Sequence, residues 1–261
     1  MAESVTDWAE FRARWDGVHN FLMAGACRPF EVALPPVGEL VDRLRADPDA
    51  RISAGSRGDR LALESIAQEF RAVPLDEALA RPFALAHFKL GNFMGPGDLL
   101  AGLTKSVLDP WREALAAAGF TWERCYPIIF ISGRGCATNY HMDFSHVLAC
   151  QVYGTKEFCS FRHPERWAPA AVRRRYFEHS APGALVMPAG AEEDVEVFTM
   201  APGAALWNAF LTPHWVLAGE EVAVSLNLSH GGLRLDGRLC GHEAELAAWR
   251  AEAARAGAAS G

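Results

Sequence analysis

At Thr121 the pattern of this chain changes, and that change restricts its fold more than any other feature. Short apolar runs follow one another at close spacing: Tyr126–Ser132, Val147–Tyr153, Glu157–Phe161, Glu196–Met200, Ala204–Asn208, Trp215–Ala218 and Val222–Ser229. Turns containing Gly or Pro separate several of them, among them Tyr153-Gly154-Thr155, Ala201-Pro202-Gly203 and Ala218-Gly219-Glu220. Glycine supplies the positive φ that tight turns need, and proline cannot continue a central strand. Many short strands so punctuated predict an antiparallel sandwich or jelly roll. Pro164–His179 is polar and arginine-rich, with helical spacing near Ala170–Tyr176, and is expected to be an insertion between core strands.

The first 120 residues read differently. Trp8, Phe11, Trp15 and Val18 recur at three- and four-residue steps, which predicts a helix over 7–23 capped at Thr6-Asp7 and laying an aromatic stripe on the domain body. Val37–Arg45, Leu61–Arg71 and Pro74–Ala80 predict short helices, Asp98–Ala118 a long one, Phe83–Gly91 a strand, and Asp47–Asp59 a polar loop. At the other end, Glu243–Ala256 is an Ala-rich helix with Leu246 and Trp249 on one side and Gly257 as its stop. It is placed to pack on the barrel or on a second copy of the chain, so a homodimer is an expectation. No repeat or low-complexity linker marks off an independent domain. The expected organisation is a helical region over 1–120 packed on a β core over 121–240, followed by a C-terminal helix over 241–261. In fold class this is mainly β with α decoration.

Half of the 261 residues are apolar and 22% are charged, ordinary values for a soluble globular chain. The formal net charge is −7 and no Lys/Arg block forms a patch, so a nucleic-acid partner is not expected. The N-terminal MAESVTDWAEF carries acids and no apolar run, unlike a secretory signal, and no segment has the apolar length to span a bilayer. Six cysteines are scattered without a CxxC pair, which predicts reduced, mostly buried thiols rather than a thiolate metal site. A cytoplasmic location is expected.

Within the β-rich half, His141-Met142-Asp143 follows a glycine-rich turn and precedes an apolar strand. Two residues apart on an extended chain, His141 and Asp143 point to one face. His214, in Pro213-His214-Trp215-Val216, arrives several strands later and can supply a third ligand. Two imidazoles and a carboxylate on one side of a metal leave the other side open, the facial arrangement of non-haem Fe(II) oxygenases. By itself the HxD pair also suits a surface pair or a hydrogen-bonded strand histidine. Lys156 lies just after the Tyr153-Gly154 turn in the same sheet region. It is either an exposed turn lysine or one directed into the barrel, where burial requires an anion to meet it. Thr138 can donate a hydroxyl to that anion or stabilise a turn. Asn227, in Val224-Ser-Leu-Asn-Leu-Ser229, needs partners if buried, a ligand or the neighbouring backbone.

Thr138-x-x-His141-x-Asp143 with Lys156 beyond it resembles the JmjC branch of cupin-fold, Fe(II)- and 2-oxoglutarate-dependent oxygenases. Its spacing is most similar to asparaginyl hydroxylases of the factor-inhibiting-HIF type. Pro202-Gly203, Pro213-His214-Trp215 and Asn227 are similar to that family's later strands, and the likeness covers roughly Tyr126–His230. The resemblance implies a double-stranded β-helix core. It implies His141, Asp143 and His214 as ligands of Fe(II), and Lys156 and Thr138 as partners of the distal carboxylate of 2-oxoglutarate. It also implies Asn227 as a contact near the other end of that co-substrate. The implied reaction is oxidative decarboxylation of 2-oxoglutarate to succinate and carbon dioxide, coupled to hydroxylation of a C–H bond. The substrate would be an amino-acid side chain in a peptide or protein, or a small amino-acid-like metabolite. Two rivals stay open: a metal-binding cupin that senses or scaffolds without oxidation, and a metal-dependent isomerase or lyase.

The remaining candidates have plainer readings. His146 is expected to face the cleft or solvent, and His163, His179, His230 and His242 to lie at the surface in loops or at strand ends. Arg173-Arg174-Arg175 is read as a solvated helix face. Trp207, Phe210 and Trp215 are read as core, and a hydroxyl added to a carboxylate pocket is the lesser alternative for Tyr126 and Tyr140.

Overall fold

A computed structural model describes residues 4–55, 64–179 and 185–259. Among the described residues, β-sheets form the body and eight α-helices decorate it, so the chain is mainly β with helical decoration. The large sheet runs in the spatial order Ser4–Val5, Phe21–Met23, Ala205–Asn208, His146–Tyr153, Ala223–Gly231, Arg124–Ser132, Ala84–His87, Arg51–Ala54 and Glu64–Ser65. A smaller sheet has the order Val195–Met200, Lys156–Phe161, Pro213–Ala218, His141–Met142. Apart from Ser4–Val5 against Phe21–Met23, the pairings in both sheets are antiparallel. The short runs after Thr121 thus become strands close to their expected bounds. Val222–Ser229 is extended to Gly231 and Tyr126–Ser132 begins at Arg124.

The chain before residue 121, read as largely helical, also supplies both edges of the large sheet. The helix expected over 7–23 spans only Trp8–Arg14, capped by Asp7, whose side chain accepts from the Glu10 N–H at 2.9 Å. Phe21–Met23 pairs instead with Ala205–Trp207. Pairing on both sides satisfies that backbone with sheet hydrogen bonds, and this tertiary gain overrides helical spacing. Arg51–Ala54, inside the expected loop over 47–59, is held as a strand by pairing with Ala84–Ala86. Residues 56–59 of that loop lie outside the described residues. So do 61–63 of the helix expected over 61–71, whose described part is Glu64–Ser65 followed by a helix at Ala67–Ala72. The helix expected over 98–118 is regular only over Asp109–Ala117, preceded by a π-helical turn at Thr104–Leu108. Pro110 carries no N–H, so the ladder entering it must rearrange.

The insertion after Phe161 forms helices at Pro164–Trp167 and Ala170–Glu178. The C-terminal helix Gly241–Ala259 packs on the second of these within its own chain. Arg173 bonds Glu245, Arg174 bonds Glu252, and Phe177 meets Trp249 with ring centroids 6.2 Å apart. Arg173 is therefore a buried tie between helices rather than part of a solvated face. No helix among the described residues is long and apolar enough to cross a membrane.

Behind the large sheet, the first helix packs Phe11 and Trp15 against Trp207, Phe120 and His146. His146 and His230 are fully buried here, contrary to their expected cleft or surface positions. Trp111 Nε1 donates to His230 Nε2 at 2.7 Å, and His230 Nδ1 donates to the His146 carbonyl at 3.2 Å. Burial pushes His146 down to about 3 and His230 down to about 4. The unfolded chain binds protons at both positions below about 6.5 while the folded chain does not, so stability is lost as pH falls from there toward 4. His230→Ala leaves the Trp111 N–H unpaired beside a cavity and is expected to cost about 3 kcal/mol at pH 7. The urea midpoint of variant and wild type measures it.

Candidate metal centre and cavity

The smaller sheet brings the two distant candidate segments into one place. His141 and His214 are direct cross-strand partners, with ring centroids 4.2 Å apart. Asp143 follows at the strand's end, its carbonyl accepting from the Leu211 N–H at 3.0 Å. The ligand atoms of His141, Asp143 and His214 all lie within 4.8 Å of one another. His141 Nε2 is 3.8 Å from Asp143 Oδ1, and His214 Nε2 is 3.5 Å from Asp143 Oδ2.

The hydrogen bonds on the far side of each ring fix what these nitrogens can do. His141 Nδ1 lies 2.7 Å from the Asn139 carbonyl, and His214 Nδ1 lies 2.9 Å from the Thr212 carbonyl. A carbonyl oxygen only accepts, so each Nδ1 carries a hydrogen. In the neutral imidazoles both Nε2 atoms then present lone pairs toward a carboxylate. That is unfavourable alone and favourable around a cation, and it is the tautomer that metal-ligating histidines adopt. Burial first, and then the His141 imidazole, hold His214 down to about 4, which keeps it unprotonated. His214 also stacks on Phe158 with centroids 4.9 Å apart. The donor set therefore fits a divalent metal.

A second group of potential ligands, His146, Cys240 and Glu243, does not fit one. The Phe210 N–H donates to His146 Nδ1 at 3.3 Å, so in the neutral ring the hydrogen sits on Nε2, which faces Cys240 Sγ at 3.3 Å. The same sulfur accepts from the Glu243 N–H at 3.4 Å, the bond of a helix N-cap, and Glu243 accepts from the Gly232 N–H at 2.6 Å. This is a hydrogen-bonded core cluster. All six cysteines are free and buried, as their scatter predicted.

A cavity of about 600 Å³ opens beside the three candidate ligands. Lys156 points into it from the smaller sheet, 6% exposed, donating to Ser225 Oγ at 3.2 Å and to the Phe130 carbonyl at 3.3 Å. Burial lowers its amine to about 7, so an anion reaching this point meets a lysine ready to take up charge. Thr138 Oγ1 accepts from the Val216 N–H at 2.8 Å, which ties the turn, while its hydroxyl hydrogen remains to be donated into the cavity it lines. Asn227 lines the cavity from the large sheet on the same face as Ser225, and its buried Oδ1 has no partner among the described residues. Tyr140 lines it as well, its hydroxyl pushed up by burial, whereas Tyr126 is exposed and outside it. Trp207, Phe210 and Trp215 are core. His163 pairs with Asp194 at 2.7 Å, and His242 is bonded to the Phe210 carbonyl at 2.9 Å.

Two side chains not singled out in the sequence bond directly to candidate site residues. Ser225 is one, readable in retrospect because it shares Asn227's alternation. The other is Asn208, whose Nδ2 donates to Asp143 Oδ2 at 3.0 Å.

No family model matches the sequence, and no curated protein matches it. Solved structures do. The structure of YcfD, a ribosomal oxygenase from Escherichia coli, superposes with a TM-score of 0.55 at 15% identity, covering 88% of this chain and 52% of that one. The chain shares its fold with YcfD. YcfD in complex with cobalt and succinic acid matches with a TM-score of 0.54, and YcfD with cobalt and 2-oxoglutarate with 0.53, both at 15% identity and over 88% of this chain. The chain spans about half the length of the YcfD structures it matches.

Proposed function

We propose that this protein is an Fe(II)- and 2-oxoglutarate-dependent dioxygenase that hydroxylates a C–H bond of an amino-acid side chain. The observation that carries this reading is the pair of imidazoles whose Nδ1 hydrogens are committed to backbone carbonyls while their Nε2 lone pairs converge with a carboxylate. In this reading His141, Asp143 and His214 hold the metal. The smaller sheet and the four central strands of the large one form the two faces of a double-stranded β-helix. The core then spans 121–240, with 1–120 packed on it and 241–261 as an added helix.

Fe(II) with 2-oxoglutarate and dioxygen supplies oxidative decarboxylation to succinate and carbon dioxide, coupled to hydroxylation of the substrate. The chain's own residues do the holding. Lys156, already donating to Ser225, turns a charge-assisted hydrogen bond toward the distal carboxylate of the co-substrate, and Thr138 donates its hydroxyl to the same group. Asn227, with its buried Oδ1 unpaired among the described residues, meets the other end. Phe158 and Phe130 wall the cavity with apolar surface and exclude water. Complexes of YcfD with cobalt and 2-oxoglutarate support the co-substrate assignment, and its description as a ribosomal oxygenase supports a peptide or protein substrate over a free metabolite. The proposed setting is the cytoplasm, with no nucleic-acid partner.

Succinate release from Fe(II), 2-oxoglutarate and oxygen, measured with panels of peptides and amino acids, tests the assignment. Stimulated release accompanied by a 16 Da gain on one peptide is expected. Turnover without oxygen and without succinate would identify the metal-dependent isomerase or lyase, and metal binding with no turnover the sensor or scaffold.

A further inference from the structure

Asn208 closes the strand Ala205–Asn208 and is 1% exposed. Its Nδ2 donates to Asp143 Oδ2 at 3.0 Å, the oxygen that also lies 3.5 Å from His214 Nε2. Its Oδ1 is buried with no partner among the described residues. An orphaned buried amide oxygen is destabilising, and a leucine of nearly the same shape avoids that cost. The contact the side chain does make runs through its donor half, and the acceptor is the Asp143 carboxylate.

The turn that follows Asn208 is tied down on every side. Leu211, fully buried, has φ of 52°, a left-handed conformation that is unusual for a bulky side chain. Its N–H donates to the Asp143 carbonyl at 3.0 Å, and the Thr212 carbonyl accepts from His214 Nδ1 at 2.9 Å. The Ala209 N–H donates to Asn20 Oδ1 at 2.9 Å, and Thr212 Oγ1 donates to the Val18 carbonyl at 2.7 Å. Backbone contacts thus fix where Asp143 begins and how the His214 ring is turned. They leave the Asp143 carboxylate, whose side chain is 36% exposed, free to rotate about its own bonds. Among the described residues, the hydrogen bond it accepts comes from Asn208.

We propose that Asn208 is a positioning residue that holds the Asp143 carboxylate toward the point where the Nε2 atoms of His141 and His214 converge. The inference rests on reading these three side chains as a metal centre. Without the bond, the carboxylate swings toward solvent and the site falls to two imidazoles. Hydrogen-bond partners of metal ligands are typically worth 10–100-fold in metal affinity. A bond that merely stabilised the strand end would instead show in folding stability.

Two substitutions separate these roles, Asn208→Leu, which keeps the volume, and Asn208→Ala, which opens space. Mn(II) binding is read from the electron paramagnetic resonance signal of the free ion, and stability from thermal unfolding without metal. The expected result is Mn(II) affinity about tenfold or more weaker in both variants, with the metal-free Asn208→Leu protein melting at or above the wild-type temperature. Mn(II) affinity within twofold of wild type in either folded variant overturns the proposal, whatever its melting temperature. A wild-type protein that binds no Mn(II) removes the metal centre itself, and the role of Asn208 with it.

Discussion

Lys156→Met is expected to weaken 2-oxoglutarate binding about a hundredfold while leaving Mn(II) affinity nearly unchanged. A partly buried charge pair truncated on one side typically loses 2–5 kcal/mol, and about 3 kcal/mol corresponds to roughly a hundredfold in a dissociation constant. The same substitution should raise the stability of the protein without ligands. A buried amine held at about 7 is a cost of the empty fold that methionine, unbranched and apolar, does not carry. The pH dependence follows in sign. In the folded chain the amine is ionised below about 7 and neutral above it, and a carboxylate favours the ionised form. Wild-type affinity for 2-oxoglutarate should therefore be level below pH 6 and fall about tenfold between pH 7 and 8.5. Binding above pH 7 should take up a proton from buffer. The unfolded lysine keeps its proton up to about 10.5, so the empty fold gains stability as pH rises from 7, and Lys156→Met abolishes that gain. Isothermal titration in buffers of different ionisation enthalpy, with denaturant midpoints at three pH values, measures all of this. Unchanged affinity in the variant would remove Lys156 from the co-substrate site.

Asp143→Ala is expected to abolish succinate formation and weaken Mn(II) binding more than a hundredfold. It leaves two neutral imidazoles, which suit divalent zinc or copper better than iron, and no anionic ligand to offset the charge of the ion. Folding should survive, because the Asp143 contact to Leu211 runs through the backbone carbonyl and is kept. The metal-free state also loses the opposition of two Nε2 lone pairs to a carboxylate. A melting temperature within a few degrees of wild type, with Mn(II) binding gone, is the expected pair of results. Retained Mn(II) affinity would mean that the carboxylate is not a ligand.

What could be read from residues alone was what local pattern encodes. The short strands announced themselves through apolar runs and Gly or Pro turns. His141 and Asp143 announced themselves by a two-residue step, and Lys156 by its place next to a turn in the same sheet. The residues that escaped depend on which strands become neighbours. Asn208 reaches Asp143 because Ala205–Asn208 pairs alongside His146–Tyr153, a relation with no trace in local spacing. Phe21–Met23 looked helical by periodicity and is a strand because Ala205–Trp207 offers it an edge. His146 reads as a cleft or solvent histidine and His230 as a surface one because nothing nearby in the chain shows that Trp15, Trp111 and Trp207 will cover them. Pairing partners set burial in each case, and burial decided whether a polar side chain became a site residue or part of the core.

The central claim is that three side chains and one organic acid share a single iron ion. Anaerobic addition of Fe(II) and 2-oxoglutarate to the purified protein, followed by visible absorption, tests it most directly. A charge-transfer band that appears only with both additions, and is absent in His214→Ala, is the predicted result. No band in the wild-type protein, or an equal band in His214→Ala, would contradict it.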